Sequence, residues 1–275
     1  MKPIYKAIHA SAWVAFLFPY YPYLCCMENE GSKIFGIRAV IEAINAGTTI
    51  SKVYLQKDLS GSLFSELNAL VKQHKIATSF VPVEKLNHLS KNGNHQGVAA
   101  QVSAIAFEDL DTLITKTLES TPAPLFLLLD QISDVRNFGA IIRTAECAGV
   151  HGIVIQNQGN APISPDTVKT SAGAAFMIPI CKVDHIKDAV FHMQAAGIQL
   201  VAATEKSEQL IYDLDLTLPT ALIMGSEDRG INPSILKMVS HKAKLPILGS
   251  IESLNVSVAC GVALYEVVRQ RLAKA

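Results

Sequence analysis

Leu125-Phe126-Leu127-Leu128-Leu129 contains no polar side chain, and this constrains the chain more than any other feature. A strand with one wet face alternates apolar and polar residues, so an unbroken apolar run needs cover on both sides. Residues 138–148 follow with helical character, and 152–155 form a second short apolar run. A strand, a helix and a strand in this order make the βαβ unit of a parallel sheet sandwiched between helices. Further strands are expected at 175–180, 199–203, 221–224 and 244–248. They alternate with helices at 165–172, 185–196, 233–239 and 253–273. Ligands in such sheets bind beyond the carboxyl ends of the strands.

The N-terminal part reads differently. Ile34, Ile37, Val40, Ile41 and Ile44 recur at helical spacing over 33–46, with Gly47 as a stop. A strand (52–56), a helix (62–74), a strand (77–81), a short helix (83–89) and a strand (96–103) complete a small α/β domain over 32–105. Residues 106–124 hold four acidic side chains and end in Thr-Pro-Ala-Pro, which predicts a helical turn and a linker before the second domain, 125–275. Ahead of both, 12–24 is apolar and aromatic behind Lys2 and Lys6. Pro19 and Pro22 interrupt it, and it is shorter than a membrane span. Residues 1–31 are therefore expected to be a disordered or non-native extension, with Met27 as the physiological start.

Composition decides little. The chain has 24 basic and 24 acidic residues and 49% hydrophobic residues, enough for a substantial core but no announcement of a polyanion partner. The halves differ: 32–105 carries eight Lys or Arg against four acids, and 106–275 fourteen against eighteen. A basic N-terminal piece suits RNA, and equally an ordinary solvated face. Cys25, Cys26, Cys147, Cys181 and Cys260 have neither CxxC spacing nor histidine partners, so buried thiols in a reducing cytoplasm are expected and no metal site.

Three polar clusters follow apolar strand-like runs: Asp130 to Glu146, Met224 to Ile231 and Leu245 to Asn255. Each has an ordinary reading. Ser253 and Asn255 suit a helix N-terminus, and Asn137 would cap a helix beginning at Phe138. Arg143 can pair with Glu146 at i+3, and Glu227 can be an exposed turn carboxylate. His95 can be a turn residue or an RNA contact. Gly225 to Gly230 fits the first part of a phosphate-binding loop, but Ile231-Asn232 stands where Lys-Ser/Thr is needed, and no GxGxxG is present. A triphosphatase or a classical dinucleotide enzyme is thereby disfavoured.

Taken together, the three clusters resemble the signature motifs of the SPOUT methyltransferases, in the SpoU/TrmH branch of RNA ribose 2′-O-methyltransferases, over roughly 33–273. The resemblance implies S-adenosylmethionine as cofactor and an α/β fold whose C-terminal parallel-sheet domain carries a deep trefoil knot. It also implies an N-terminal module similar to ribosomal protein L30e that binds the RNA substrate, and a cytoplasmic homodimer, with no membrane and no metal, whose interface includes the last helix and whose active site is completed across subunits. Val258, Val262, Leu264, Tyr265 and Val268 spread around that helix, so it is expected to be buried. The resemblance assigns Arg143, Asn137, Glu227, Ser253 and Asn255 to the catalytic centre. Thr204, Met224, Gly225, Leu245, Ile247 and Leu254 are assigned to the cofactor. The first motif usually has proline where this chain has Val135, which puts the rigidity of that loop in doubt. Within the family the chain most resembles bacterial enzymes that methylate a guanosine ribose of 23S ribosomal RNA, and the N-terminal module favours ribosomal over transfer RNA. A transfer-RNA enzyme, or a non-catalytic RNA-binding ribosome-assembly factor on the same scaffold, are the alternatives. All of this requires the three clusters to converge at one end of a single sheet.

Overall fold

The computed structural model describes residues 33–274, and the expectations for 1–31 lie outside the described residues. The N-terminal sheet has four strands, β1 (Lys33–Phe35), β2 (Ile50–Gln56), β3 (Thr78–Val81) and β4 (Val98–Val102), in the order β1-β4-β2-β3. β4 runs antiparallel to both neighbours, and β2 and β3 are parallel. Helices α1 (Ile37–Asn45), α2 (Ser62–Gln73) and α3 (Val83–Leu89) cover it. The apolar spacing in α1 buries Ile37, Val40, Ile41 and Ile44 against Val53, Leu55 and Val98. Residues 33–36, expected to begin the helix, instead form β1 and a turn at Gly36, because their backbone pairs with β4.

The second sheet has six strands, all parallel: β5 (Leu125–Asp130), β6 (Gly152–Gln156), β7 (Ile180–Val183), β8 (Gln199–Ala203), β9 (Thr220–Gly225) and β10 (His241–Ala243). Their order is β10-β8-β9-β5-β6-β7. The apolar run of β5 behaves as its composition requires. Leu125, Leu127 and Leu129 pack on one face with helices α5 (Val135–Cys147), α6 (Pro165–Thr170) and α9 (Val256–Lys274). Phe126 and Leu128 pack on the other with α4 (Leu110–Ser120) and α7 (Ile186–Ala195), and α8 (Pro233–Leu236) closes that face. The chain builds outward from β5 through β6 and β7, then returns on the other side with β8. The crevice where the direction reverses lies at the ends of β5 and β9.

Four expectations are corrected. The stretch read as a linker contains the eleven-residue helix α4, capped by Asp109, whose Leu110, Leu113 and Ile114 are core of the second layer. Residues 175–180 are not a strand: Ala174–Phe176 is a 3₁₀ turn and β7 begins at Ile180, so these apolar residues are buried without entering the sheet until its end. The strand expected at 244–248 is β10, three residues earlier, and 244–255 runs as an irregular loop into α9. Within α9, Cys260, Leu264 and Val267 are buried, but Val258, Val262 and Tyr265 form an exposed apolar stripe, so in a single chain this helix is covered on one side only. Its far end is tied down by Arg271, which donates to the carbonyls of Ala123, Pro124, Leu216 and Leu218.

Of the described cysteines, Cys181 and Cys260 are buried and burial pushes both thiols up to about 12, whereas Cys147, near the exposed end of α5, faces solvent. His95 is a turn residue: its Nδ1 accepts from Gly97 N–H at 2.9 Å and its Nε2 meets Asn87 Oδ1 at 3.0 Å.

Candidate active site

Three strand ends supply the site. After β5 the chain turns at Asp130, and the Asp134 carboxylate accepts the Asn137 N–H at 2.8 Å, capping α5. The cap is therefore Asp134, and the Asn137 side chain is free for other work. Val135, in the place of the usual proline, is the first helical residue, where proline's fixed φ is helpful but dispensable once an aspartate caps the turn.

After β9, Gly225 enters a tight turn closed by Gly230 N–H donating to Ser226 O at 2.9 Å. A Cβ on Gly225 would lie 2.2 Å from the carbonyl carbon of Gly230, so only glycine fits. Asp130, buried at the end of β5, accepts Asn232 N–H at 2.8 Å and pins the far side of this turn. Burial raises its pKa and the Asn232 N–H opposes the rise. Sequence reasoning gave Asp130 no role. The signal was there: a carboxylate that ends a wholly apolar strand needs a partner.

After β10, the loop reaches Asn255, whose Oδ1 accepts from Ser257 N–H at 3.0 Å and Val258 N–H at 3.4 Å. Asn255 is the cap of α9. Ser253 sits three residues before the helix, exposed, and does not cap it.

The three loops meet. Asn137 Nδ2 donates to Glu227 Oε1 at 2.9 Å, Asn255 Nδ2 donates to the same oxygen at 2.8 Å, and Asn255 Nδ2 also lies 3.1 Å from Asn137 Oδ1. Two amides from different helices thus fix one carboxylate oxygen. The other, Oε2, has no hydrogen-bond partner among the described residues.

Beside the triangle lies a cleft of about 430 Å³. Thr204, Met224, Gly225, Leu245, Ile247 and Leu254 all line it, together with Glu227, Ser253 and Asn255. Arg143 does not. It lies six residues beyond Asn137 on the exposed side of α5, and it has no hydrogen-bond or ion-pair partner among the described residues, Glu146 included. One chain thus brings together Asn137, Glu227 and Asn255, with Ser253 on the cleft wall, and leaves Arg143 facing solvent.

The cleft suits S-adenosylmethionine. Leu245, Ile247 and Leu254 offer an apolar wall for a base, and the lining holds four carboxylates (Glu205, Glu227, Asp228 and Glu252) against two cations (Lys206 and Arg229). A net-positive sulfonium cofactor matches that balance. Among the described residues no group of three His, Cys, Asp or Glu is placed to hold a metal, and no helix is long and apolar enough to cross a membrane.

Comparison with known proteins agrees with this geometry. Residues 124–265 match the model of the SpoU rRNA Methylase family, and residues 33–107 match the RNA 2′-O ribose methyltransferase substrate binding family. The chain belongs to the SpoU methylase family. It is 33% identical over 245 residues to the putative TrmH family tRNA/rRNA methyltransferase YacO of Bacillus subtilis, covering 89% of this chain and 98% of that one. The AdoMet-bound rRNA methyltransferase from Sinorhizobium meliloti superposes with a TM-score of 0.55 at 25% identity, covering 87% of each chain. The TrmH/SpoU tRNA modifying enzyme of A. aeolicus gives a TM-score of 0.51 at 30% identity, covering 60% of this chain and 85% of that one. This SpoU methylase is accordingly an S-adenosylmethionine-dependent RNA methyltransferase, with an N-terminal substrate-binding domain joined to an all-parallel catalytic sheet.

A larger cavity, about 750 Å³, lies between the two domains. Lys182 projects into it from β7, donates to Ser51 O at 3.3 Å and stands 4.3 Å over the Phe107 ring. Burial, with Lys52 as a lesser cause, pushes its pKa down to about 8. It lies away from the triangle and helps join the domains.

Proposed function

We propose that this methyltransferase modifies the ribose 2′-hydroxyl of a guanosine in 23S ribosomal RNA, working as a cytoplasmic homodimer. The observation that carries the reading is the Asn137–Glu227–Asn255 triangle, set at the mouth of the cleft and presenting one open carboxylate oxygen.

When bound, the cofactor supplies a methyl group already activated on sulfur. What the chain must add is alignment of the accepting oxygen for in-line displacement, a contribution of roughly 7–11 kcal/mol where geometry is well held. Glu227 Oε2 is placed to accept a hydrogen bond from the incoming hydroxyl or from an arginine, while Oε1 is held by the two amides. Arg143 positions the RNA phosphate and stabilises developing charge. A guanidinium offers five N–H donors and no acceptor, which makes it a poor base. Ser253, on the cleft wall, orients the substrate ribose.

Arg143 and the Val258, Val262 and Tyr265 stripe are both exposed in one chain, and α5 and α9 pack side by side. A second copy docked on this surface would cover the stripe and bring a partner subunit's Arg143 toward the triangle. The trefoil threading of the C-terminal segment belongs to the same reading, as does an L30e-like RNA-binding role for the substrate-binding domain.

Ribosomal RNA is favoured over transfer RNA by extent of likeness. The Sinorhizobium meliloti enzyme, named for rRNA, covers 87% of the chain, and the A. aeolicus enzyme, named for tRNA, only 60%. The relative in Bacillus subtilis is named for both. A non-catalytic assembly factor would have no use for the hydrogen-bonded triangle. Methylation of unmodified ribosomal RNA against transfer RNA, with the modified nucleotide mapped, tests the choice: methyl incorporated only into tRNA would reject it.

A further inference from the structure

We propose that Arg229 grips the carboxylate of the cofactor's methionine tail, an assignment that rests on the 430 Å³ cleft being the S-adenosylmethionine site. The cofactor carries one anionic group, and a buried or half-buried carboxylate requires a cation or several N–H donors. Only Lys206 and Arg229 among the lining residues can answer it with positive charge.

Strand order separates the two. Thr204 directly follows β8 and its N–H donates to Ala243 O of β10 at 2.9 Å, so Lys206, two residues on, leaves from the β8–β10 side of the cleft. Leu245 and Ile247, which follow β10, give that side an apolar wall for the adenine ring. Glu227 and Arg229 both lie in the turn after β9, and Glu227 reaches the loop after β5 through Asn137. With the adenine there and the methyl turned to Glu227, the third group on the sulfur, the amino-acid tail, is assigned to the β9 turn that carries Arg229.

Arg229 is free for this task. Its backbone is fixed, since its N–H donates to Ser226 Oγ at 3.2 Å within the closed turn. Its guanidinium is exposed on the cleft wall and has no hydrogen-bond or ion-pair partner among the described residues. A planar fork of N–H donors matches a carboxylate in two-point contact, which a lysine cannot reproduce.

The test uses two probes that differ only by the tail. S-adenosylhomocysteine has the amino-acid group, and 5′-methylthioadenosine lacks it. Both are titrated calorimetrically into the full-length parent, Arg229→Gln and Lys206→Gln, each checked for an unchanged melting temperature. Arg229→Gln is expected to weaken S-adenosylhomocysteine about tenfold or more, as loss of a charge-assisted contact does. The same variant should leave methylthioadenosine within about twofold, and Lys206→Gln should spare the difference between the probes. Equal weakening of both probes by Arg229→Gln, or a selective loss in Lys206→Gln instead, overturns the proposal. If the parent binds neither probe, the cleft assignment itself fails and takes this inference with it.

Discussion

Asn255 holds Glu227 through a 2.8 Å hydrogen bond from its Nδ2 while its Oδ1 caps the N-terminus of α9. One side chain therefore starts a helix and aims a carboxylate, and the two tasks separate by substitution. Asn255→Asp keeps the capping oxygen but loses the donor and sets a second negative charge against Glu227. Methyl transfer is expected to fall about a hundredfold, the scale of a misaligned reacting group, with the melting temperature nearly unchanged. Asn255→Ala should lose activity and also roughly 1 kcal/mol of stability. Equal activity in the Asp variant and the parent would remove the triangle from the mechanism.

Arg143 is outside the cofactor cleft, so its loss should be felt in turnover alone. Arg143→Ala is expected to abolish methyl transfer and leave S-adenosylhomocysteine affinity within about twofold. Near-normal turnover in single-turnover assays would mean that the catalytic centre has been misplaced.

Gly225 has no room for a side chain, because the obstacle is the backbone of Gly230 rather than a flexible group. Gly225→Ala is expected to destabilise the protein by about 1–3 kcal/mol, as overpacking does, and to weaken cofactor binding by deforming the turn that carries Glu227. Unchanged thermal unfolding and calorimetric affinity would contradict the tightness of this turn.

Lys182 predicts a pH dependence. Its pKa lies near 8 in the folded chain against an ordinary 10.5, so the folded state binds this proton more weakly than the unfolded state. Below pH 8 the folded protein carries the cost of the buried charge. As pH rises from 8 toward 10.5 the unfolded state holds more protons, and stability attributable to this group increases by roughly 3 kcal/mol. Lys182→Met lacks that increase. Denaturant unfolding of both proteins at pH 7 and pH 10 should show the parent gaining on the variant, and a pH-independent difference would contradict it.

Much of the catalytic sheet was legible because burial on two faces leaves a compositional mark. β5, β6, β8 and β9 announce themselves through apolar runs. The same signal misled at 175–180, where Ala174, Ala175 and Ile178 are buried beneath α6 in a turn that periodicity cannot tell from a strand. It also hid α4, whose acidic and threonine residues suggest a linker until Leu110, Leu113 and Ile114 are seen to share one face. In the site, the identities of Asn137, Glu227 and Asn255 stood out as polar residues in apolar surroundings, but their mutual hydrogen bonds join positions about 30 to 120 residues apart and follow from strand order alone. Asp130 and Arg229 escaped notice for opposite reasons. One is hidden at a strand end, and the other resembles any surface arginine until the cleft beside it is known.

The most direct measurement incubates the full-length protein with methyl-labelled S-adenosylmethionine and unmodified ribosomal RNA, then digests the product and looks for nuclease-resistant dinucleotides. The account predicts label in one such dinucleotide, at a 2′-O-methylated guanosine, and about a hundredfold slower labelling with Asn255→Asp. Label appearing on a base, or no transfer to any RNA by a protein that binds the cofactor, would contradict it.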